Sequence, residues 1–121
     1  MAGSKRQANT FAKLMELNDL TATGRSNFEL RRSLNLSENG RVRTVTLIIH
    51  ALRPTSTNDA WTCECAIERI VTKPTRIFGV DALDSFLNCI SFCRESLRNF
   101  NSEDRLVWWL EKGDEGGIQF K

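Results

Sequence analysis

Residues 81–100 read DALDSFLNCISFCRESLRNF, and this stretch decides the fold. Asp81 is a good helix N-cap, because its carboxylate can accept from the free N–H groups of a first turn. Asp84 stands three residues on, where the acid of a capping box belongs. Leu83, Phe86, Leu87, Ile90, Cys93, Leu97 and Phe100 then recur at three- and four-residue spacing, a wide apolar stripe. The spacing predicts one long amphipathic helix reaching Phe100, with Asn101–Asp104 ending it. Such a stripe has to lie on another apolar surface.

The residues upstream supply that surface. From Asn27 to Leu36 the chain alternates: Phe28, Leu30, Leu34 and Leu36 share one face, and Arg32 interrupts it. Glu29, Arg31, Ser33 and Asn35 share the other face, the pattern of a half-buried strand. Asn39-Gly40 follows, a hairpin signal because both residues tolerate positive φ. Arg41 to Leu52 is rich in β-branched residues. Its odd positions Val45, Leu47, Ile49 and Ala51 point inward, and its even positions are half apolar too. A polar loop with Pro54 ends it. Ala60 to Val71 reads as a third strand, with Trp61, Cys63, Cys65 and Ile67 on one face and Thr62, Glu64 and Glu68 on the other. Lys73-Pro74 reads as a turn, and Thr75–Phe78 as a short fourth strand.

Beyond the helix, Arg105–Leu110 reads as a strand that sends Trp108 and Trp109 to opposite faces. Lys112–Gly117 is a turn, and Ile118–Phe120 pairs back as a short strand. Before the sheet, Ala8, Phe11 and Met15, flanked by Leu14 and Leu17, fall at helical spacing and predict a short amphipathic helix. Residues 1–25 are thus an N-terminal extension, and 26–121 a single α+β domain. The expected architecture is an antiparallel meander of four to six strands with the long helix packed on one face.

The 121 residues fit one domain, and 40% hydrophobic and 26% charged residues are ordinary for a globular chain. A net charge of +2 argues for neither nucleic acid nor membrane by itself. Charge is uneven, however. Residues 26–58 carry Arg31, Arg32, Arg41, Arg43 and Arg53 against Glu29 and Glu38, while residues 80–104 carry five acids against Arg94 and Arg98. No apolar run is long enough to span a bilayer. Residues 1–7 hold no apolar stretch like that of a secretory signal, so reduced thiols and a cytoplasmic location are expected.

Several residues are of types that can carry chemistry. Cys63 and Cys65 share a strand face, and Cys89 and Cys93 share a helix stripe, so four thiols can converge. Zinc sites favour tight C-x-x-C turns, and a C-x-C on a regular strand splays its sulfurs, so packing as small apolar groups is expected and no metal. His50 is the only histidine, and no nucleophile elbow accompanies it. Glu64 and Glu68 are candidates for paired carboxylates, but charged residues are expected on the wet face of a strand. Gly113, Gly116 and Gly117 precede no helix that would hold a phosphate.

Three stretches carry a resemblance: Trp61-Thr-Cys63 opening a strand, FGVDAL at residues 78–83 leading into the helix, and Trp108-Trp109 with glycines and Phe120 after it. Over residues 26–121 the chain resembles an uncharacterised family of small bacterial α+β domains. The resemblance implies a bacterial source and a domain type; it implies no activity, and the first 25 residues lie outside it.

These readings predict a non-catalytic cytoplasmic protein-binding module, with an immunity or accessory type as one version, that needs no cofactor and binds a protein partner or itself rather than a membrane. The predicted partner patch is Trp109 with Ile48 and His50, the groups least easily assigned to a core. The alternative is single-stranded nucleic-acid binding through the arginine-bearing hairpin, with Arg31, Arg32, Arg41 and Arg43 holding phosphates and rings nearby stacking bases.

Overall fold

The structure is a computed structural model, and it describes residues 28–118. The short helix read over Ala8–Leu20, the rest of the extension 1–25, and all but the first residue of the strand read at Ile118–Phe120 lie outside the described residues.

Five strands, β1 (Glu29–Glu38), β2 (Arg41–Pro54), β3 (Trp61–Ile67), β4 (Val71–Gly79) and β5 (Arg105–Trp108), form one antiparallel sheet in the order β4-β3-β2-β1-β5. The first four are a meander. A single helix among the described residues, α1 (Ala82–Phe100), carries the chain from the β4 edge to the β5 edge, and Glu115–Gly117 forms a 3₁₀ turn. The Asn39-Gly40 hairpin is as expected, with φ of 54° and 80°.

One face of the sheet packs under α1. Phe28, Leu34 and Leu36 from the β1 region, Val45, Leu47 and Ile49 from β2, Cys63, Cys65 and Ile67 from β3, and Val107 from β5 are all buried there. The apolar character of both faces of β2 has a local cause near its end. His50 pairs with Glu64 and Arg53 with Thr62, so β2 spends one residue more than β3. Ala51 takes a φ of 56° to absorb it. This β-bulge shifts the alternation, so the successive residues Ala51 and Leu52 are both buried.

Three boundaries differ from the sequence reading. Pro54 lies inside β2, opposite Trp61, and the loop after it is closed by Thr55 N–H donating to the Ala60 carbonyl at 2.9 Å. The β3–β4 turn falls at Glu68–Ile70, with Arg69 at a φ of 72°, rather than at Lys73-Pro74. Lys73 and Pro74 belong to β4, where the pairing jumps from Cys65↔Thr75 to Ile67↔Val71. An edge strand at an irregular step can hold a proline, because no ladder N–H is lost there. β5 ends at Trp108 because Asp114 takes the next three N–H groups, those of Trp109, Leu110 and Glu111.

α1 begins as the caps predict. The Asp81 carboxylate accepts from Asp84 N–H at 2.8 Å, and Asp84 reaches back to Val80 N–H at 2.8 Å. Its rotation differs from the stripe, however. The residues buried against the sheet are Ser85, Cys89, Cys93, Leu97 and Phe100, while Leu83 and Leu87 are 53% and 45% exposed. Gly79 explains this. A Cβ there would stand 2.1 Å from the Ser85 nitrogen, so the helix start is seated directly on the end of β4. The Ser85 hydroxyl then donates to the Ile77 carbonyl at 3.0 Å and fixes the buried face. Small Ser85, Cys89 and Cys93 let the helix approach closely, and the larger leucines are turned outward.

Candidate functional site

The structure separates the predicted partner patch. Ile48 faces Arg31 and Ala66, and His50 faces Glu29 and Glu64, all on the sheet face away from α1. Trp109 packs against the core instead. The Arg32 guanidinium lies 3.6 Å from its ring centroid, and a Cβ on Gly117 would come within 2.3 Å of the ring. Trp109, Ile48 and His50 therefore do not form one surface. The apolar surplus of Trp109 is used within the fold.

The four hairpin arginines also part company. Arg31 stands on the open face and pairs with Glu29. Arg32 stays on the helix side, where it donates to the Gly116 carbonyl at 3.0 Å. Burial lowers its pKa, while the Asp114 carboxylate pulls it back up. Arg41 and Arg43 come together, and Arg69 joins them around a shallow cavity of about 690 Å³ with Leu36, Glu38 and Asn39. Arg69 is held by Glu38 at 2.6 and 3.2 Å. Sequence spacing did not point to Arg69, because its approach depends on where the β3–β4 turn falls.

His50 and Glu64 are cross-strand neighbours. Glu64 lies between His50 Nε2 at 3.9 Å and an Arg76 nitrogen at 3.7 Å, beyond hydrogen-bond reach of either. Glu68 is in the β3–β4 turn, where its carboxylate accepts from Thr46 N–H at 2.7 Å. The two glutamates thus serve different neighbours and do not share a strand face.

The thiols do converge. All four cysteines are free and buried. Cys65 lies against Cys89 and Cys93; the Cys89 thiol and burial push its pKa up to about 12, against an opposing pull from Cys93. The same contacts and burial raise that of Cys93. Among the described residues no cluster of His, Cys, Asp or Glu has the arrangement of a metal site.

What the sequence reading missed lies where β4 meets α1. Of the six exposed large apolar side chains among the described residues, Phe78, Val80, Leu83 and Leu87 fall within ten positions of the chain, and Val80 is 82% exposed. They flank the end of β4, an outer strand with no further strand beside it among the described residues. At the opposite margin the outer backbone of β5 is bonded. Ser102 N–H donates to the Arg105 carbonyl, the Asn101 side chain accepts from Val107 N–H, and Asp114 accepts from Trp109 N–H. A helical wheel that allowed for Ser85 as a core residue would have turned Leu83 and Leu87 outward. Nothing in the sequence said which strand of the described sheet would be outermost.

No described helix is long and apolar enough to cross a membrane. Comparison with curated proteins and with solved structures gives no match. A family model, described as a domain of unknown function (DUF6968), matches residues 30–120. That span runs from the start of β1 past the 3₁₀ turn, and the chain belongs to the DUF6968 family.

Proposed function

We propose that this domain is a non-catalytic protein-binding module of the bacterial cytoplasm, of immunity or accessory type, which receives an extended segment of its partner along β4. The observation that carries the reading is the coincidence of exposed Phe78, Val80, Leu83 and Leu87 with a strand that is outermost among the described residues. An edge strand offers main-chain hydrogen bonds to an incoming strand, and apolar side chains beside it give that strand anchors. Apolar groups gathered at one place on a monomer surface are a common mark of such sites. Four reduced thiols suit a reducing compartment.

The test is affinity capture from the native host with the wild-type chain and with Phe78→Asp and Val80→Asp variants. Both side chains are mostly exposed, so the variants should keep the thermal midpoint. The captured protein should be lost with the variants. Its retention at full yield would reject the reading.

A second reading has its own observation. Arg41, Arg43 and Arg69 around one cavity could take the phosphates of single-stranded nucleic acid. Binding of an oligonucleotide should then weaken steeply with salt, and Arg43→Glu should flatten the slope. A salt-independent or absent interaction removes this alternative.

A further inference from the structure

The β1–β2 register carries the inner face of the sheet past the end of its apolar core. Leu34 stands opposite Val45, Leu36 opposite Arg43, and Glu38 opposite Arg41. Leu34, Leu36 and Val45 are buried on the helix side, so Arg43 and Arg41 continue that same face. α1 ends at Phe100, and both arginines are exposed.

Arg69 joins them from the β3–β4 turn, where its φ is 72°. Two contacts aim its guanidinium. Glu38 accepts from it at 2.6 and 3.2 Å, and the Phe100 ring centroid lies 5.7 Å from its central carbon. With Glu38 committed to Arg69, Arg41 and Arg43 have no ion-pair partner among the described residues. The negative end of α1 is met by another cation, since Arg105 Nε donates to the Phe100 carbonyl at 2.8 Å. The cavity of about 690 Å³ thus has three guanidinium groups and one carboxylate in its lining, which leaves two positive charges.

Its position and lining narrow the ligand. Phe28 precedes β1, and Ile118 lines a groove with Leu30, so the chain leaves the described residues near the start of β1. The cavity lies at the other end of that strand, about 30 Å away. None of its lining residues among those described is aromatic, so a base has no ring there to stack on. A phosphate monoester offers two charges and three terminal oxygens, whereas a phosphodiester of a strand offers one charge and two. Guanidinium forks pair with such oxygens two at a time.

We propose that this cavity binds a phosphate monoester dianion, with Arg41 and Arg43 as its free donors and Arg69 as a third donor positioned by Glu38. The site is that of the nucleic-acid reading, with a compact terminal phosphate in place of a strand, and it is independent of β4. The monoester comes either from a small organic phosphate or from a phosphorylated side chain of a protein partner.

Calorimetric titration of the full chain at low ionic strength tests this. The probes are ribose 5-phosphate, a phosphoserine peptide, its unphosphorylated twin, and an oligonucleotide without terminal phosphates. At least one of the two monoesters should bind with a stoichiometry of one, and which of them binds identifies the source. Arg41→Gln and Arg43→Gln should each weaken it roughly tenfold or more. Arg31→Gln removes the same charge from the opposite face and should leave it unchanged. All three side chains are exposed, so thermal midpoints should stay at the wild-type value. Absence of binding by both monoesters overturns the proposal. So does an equal loss with Arg31→Gln, which shows diffuse attraction only. Tighter binding of the oligonucleotide than of either monoester also overturns it and returns the cavity to the strand reading.

Discussion

The Arg32 guanidinium lies over the face of Trp109, its central carbon 3.6 Å from the ring centroid. This contact accounts for a charged residue on the otherwise apolar face of β1. The cation sits on the ring's negative face, and its Nη1 donates to the Gly116 carbonyl at 3.0 Å. Arg32→Ala should cost about 1–3 kcal/mol, the worth of a partly desolvated cation–π contact and a charged hydrogen bond together. Arg32→Lys should recover only part of it, since an ammonium cannot stack flat. Urea unfolding of both variants and of Trp109→Ala, closed as a double-mutant cycle, measures the coupling.

Asp114 gathers four N–H groups, those of Trp109, Leu110, Glu111 and Gly116, at 2.8–3.1 Å. Burial opposes its charge, but the four donors outweigh burial and hold the carboxyl below its ordinary 3.8. The folded form is therefore the stronger acid. Its contribution to stability is complete above the unfolded value and is lost as pH falls through the lower, folded one. Asp114→Asn should cost about 1–2 kcal/mol at neutral pH. Relative to that variant, the wild type's advantage should shrink below about pH 4. Thermal melts of the two chains from pH 7 to pH 2.5 give the answer.

Gly79 and Gly40 make a contrasting pair. Alanine at 79 would drive a methyl to 2.1 Å from the Ser85 nitrogen and 2.4 Å from its Cα, backbone atoms that cannot step aside. The helix start would have to lift from β4, at about 3 kcal/mol or more. Alanine at 40 meets nothing within 4 Å and suffers only its φ of 80°, a cost of about 1 kcal/mol. Denaturant midpoints should rank them in that order.

The four thiols should be silent in the native protein. Each is fully buried, and Cys65 is pushed to about 12 by the Cys89 thiol and burial, far above the range where thiolate forms. A colourimetric thiol reagent at pH 8 should react with none of them in buffer and with all four in denaturant. Fast reaction of even one in the folded chain would show that the helix opens readily from the sheet.

Leu87 and Leu97 test the rotation of α1. Leu97 is fully buried and Leu87 is 45% exposed. Leu97→Ala should cost about 2–5 kcal/mol, and Leu87→Ala about 0.5 kcal/mol or less. Comparable losses would mean that the stripe read from the sequence, not Ser85 and Cys89, faces the sheet.

Most of the architecture was legible because period and punctuation agreed. β1 alternates, Asn39-Gly40 turns the chain, β2 is β-branched, and Asp81 with Asp84 starts a helix where the caps say. The misreadings share one cause, a decision made by contacts between distant residues. Lys73-Pro74 carries a turn signal, but the β3–β4 register placed it inside an edge strand. Leu83 and Leu87 fit a stripe, but the close seat of Ser85 on Gly79 turned α1 away from them. Trp109 is apolar surplus on paper and half of a stacked pair in the fold. Which arginines meet was equally hidden, since Arg69 reaches Arg41 and Arg43 only through the geometry of its turn. The exposure of Phe78 and Val80 gains meaning only once β4 is known to be the outer strand of the described sheet.

The two sheet margins differ, and the difference bears on where a further strand can add. Ser102, Asn101 and Asp114 occupy the outer backbone of β5, whereas no strand or cap of this kind stands beside β4 among the described residues. A strand arriving at β5 would have to displace hydrogen bonds already made there, so addition along β4 is the cheaper of the two.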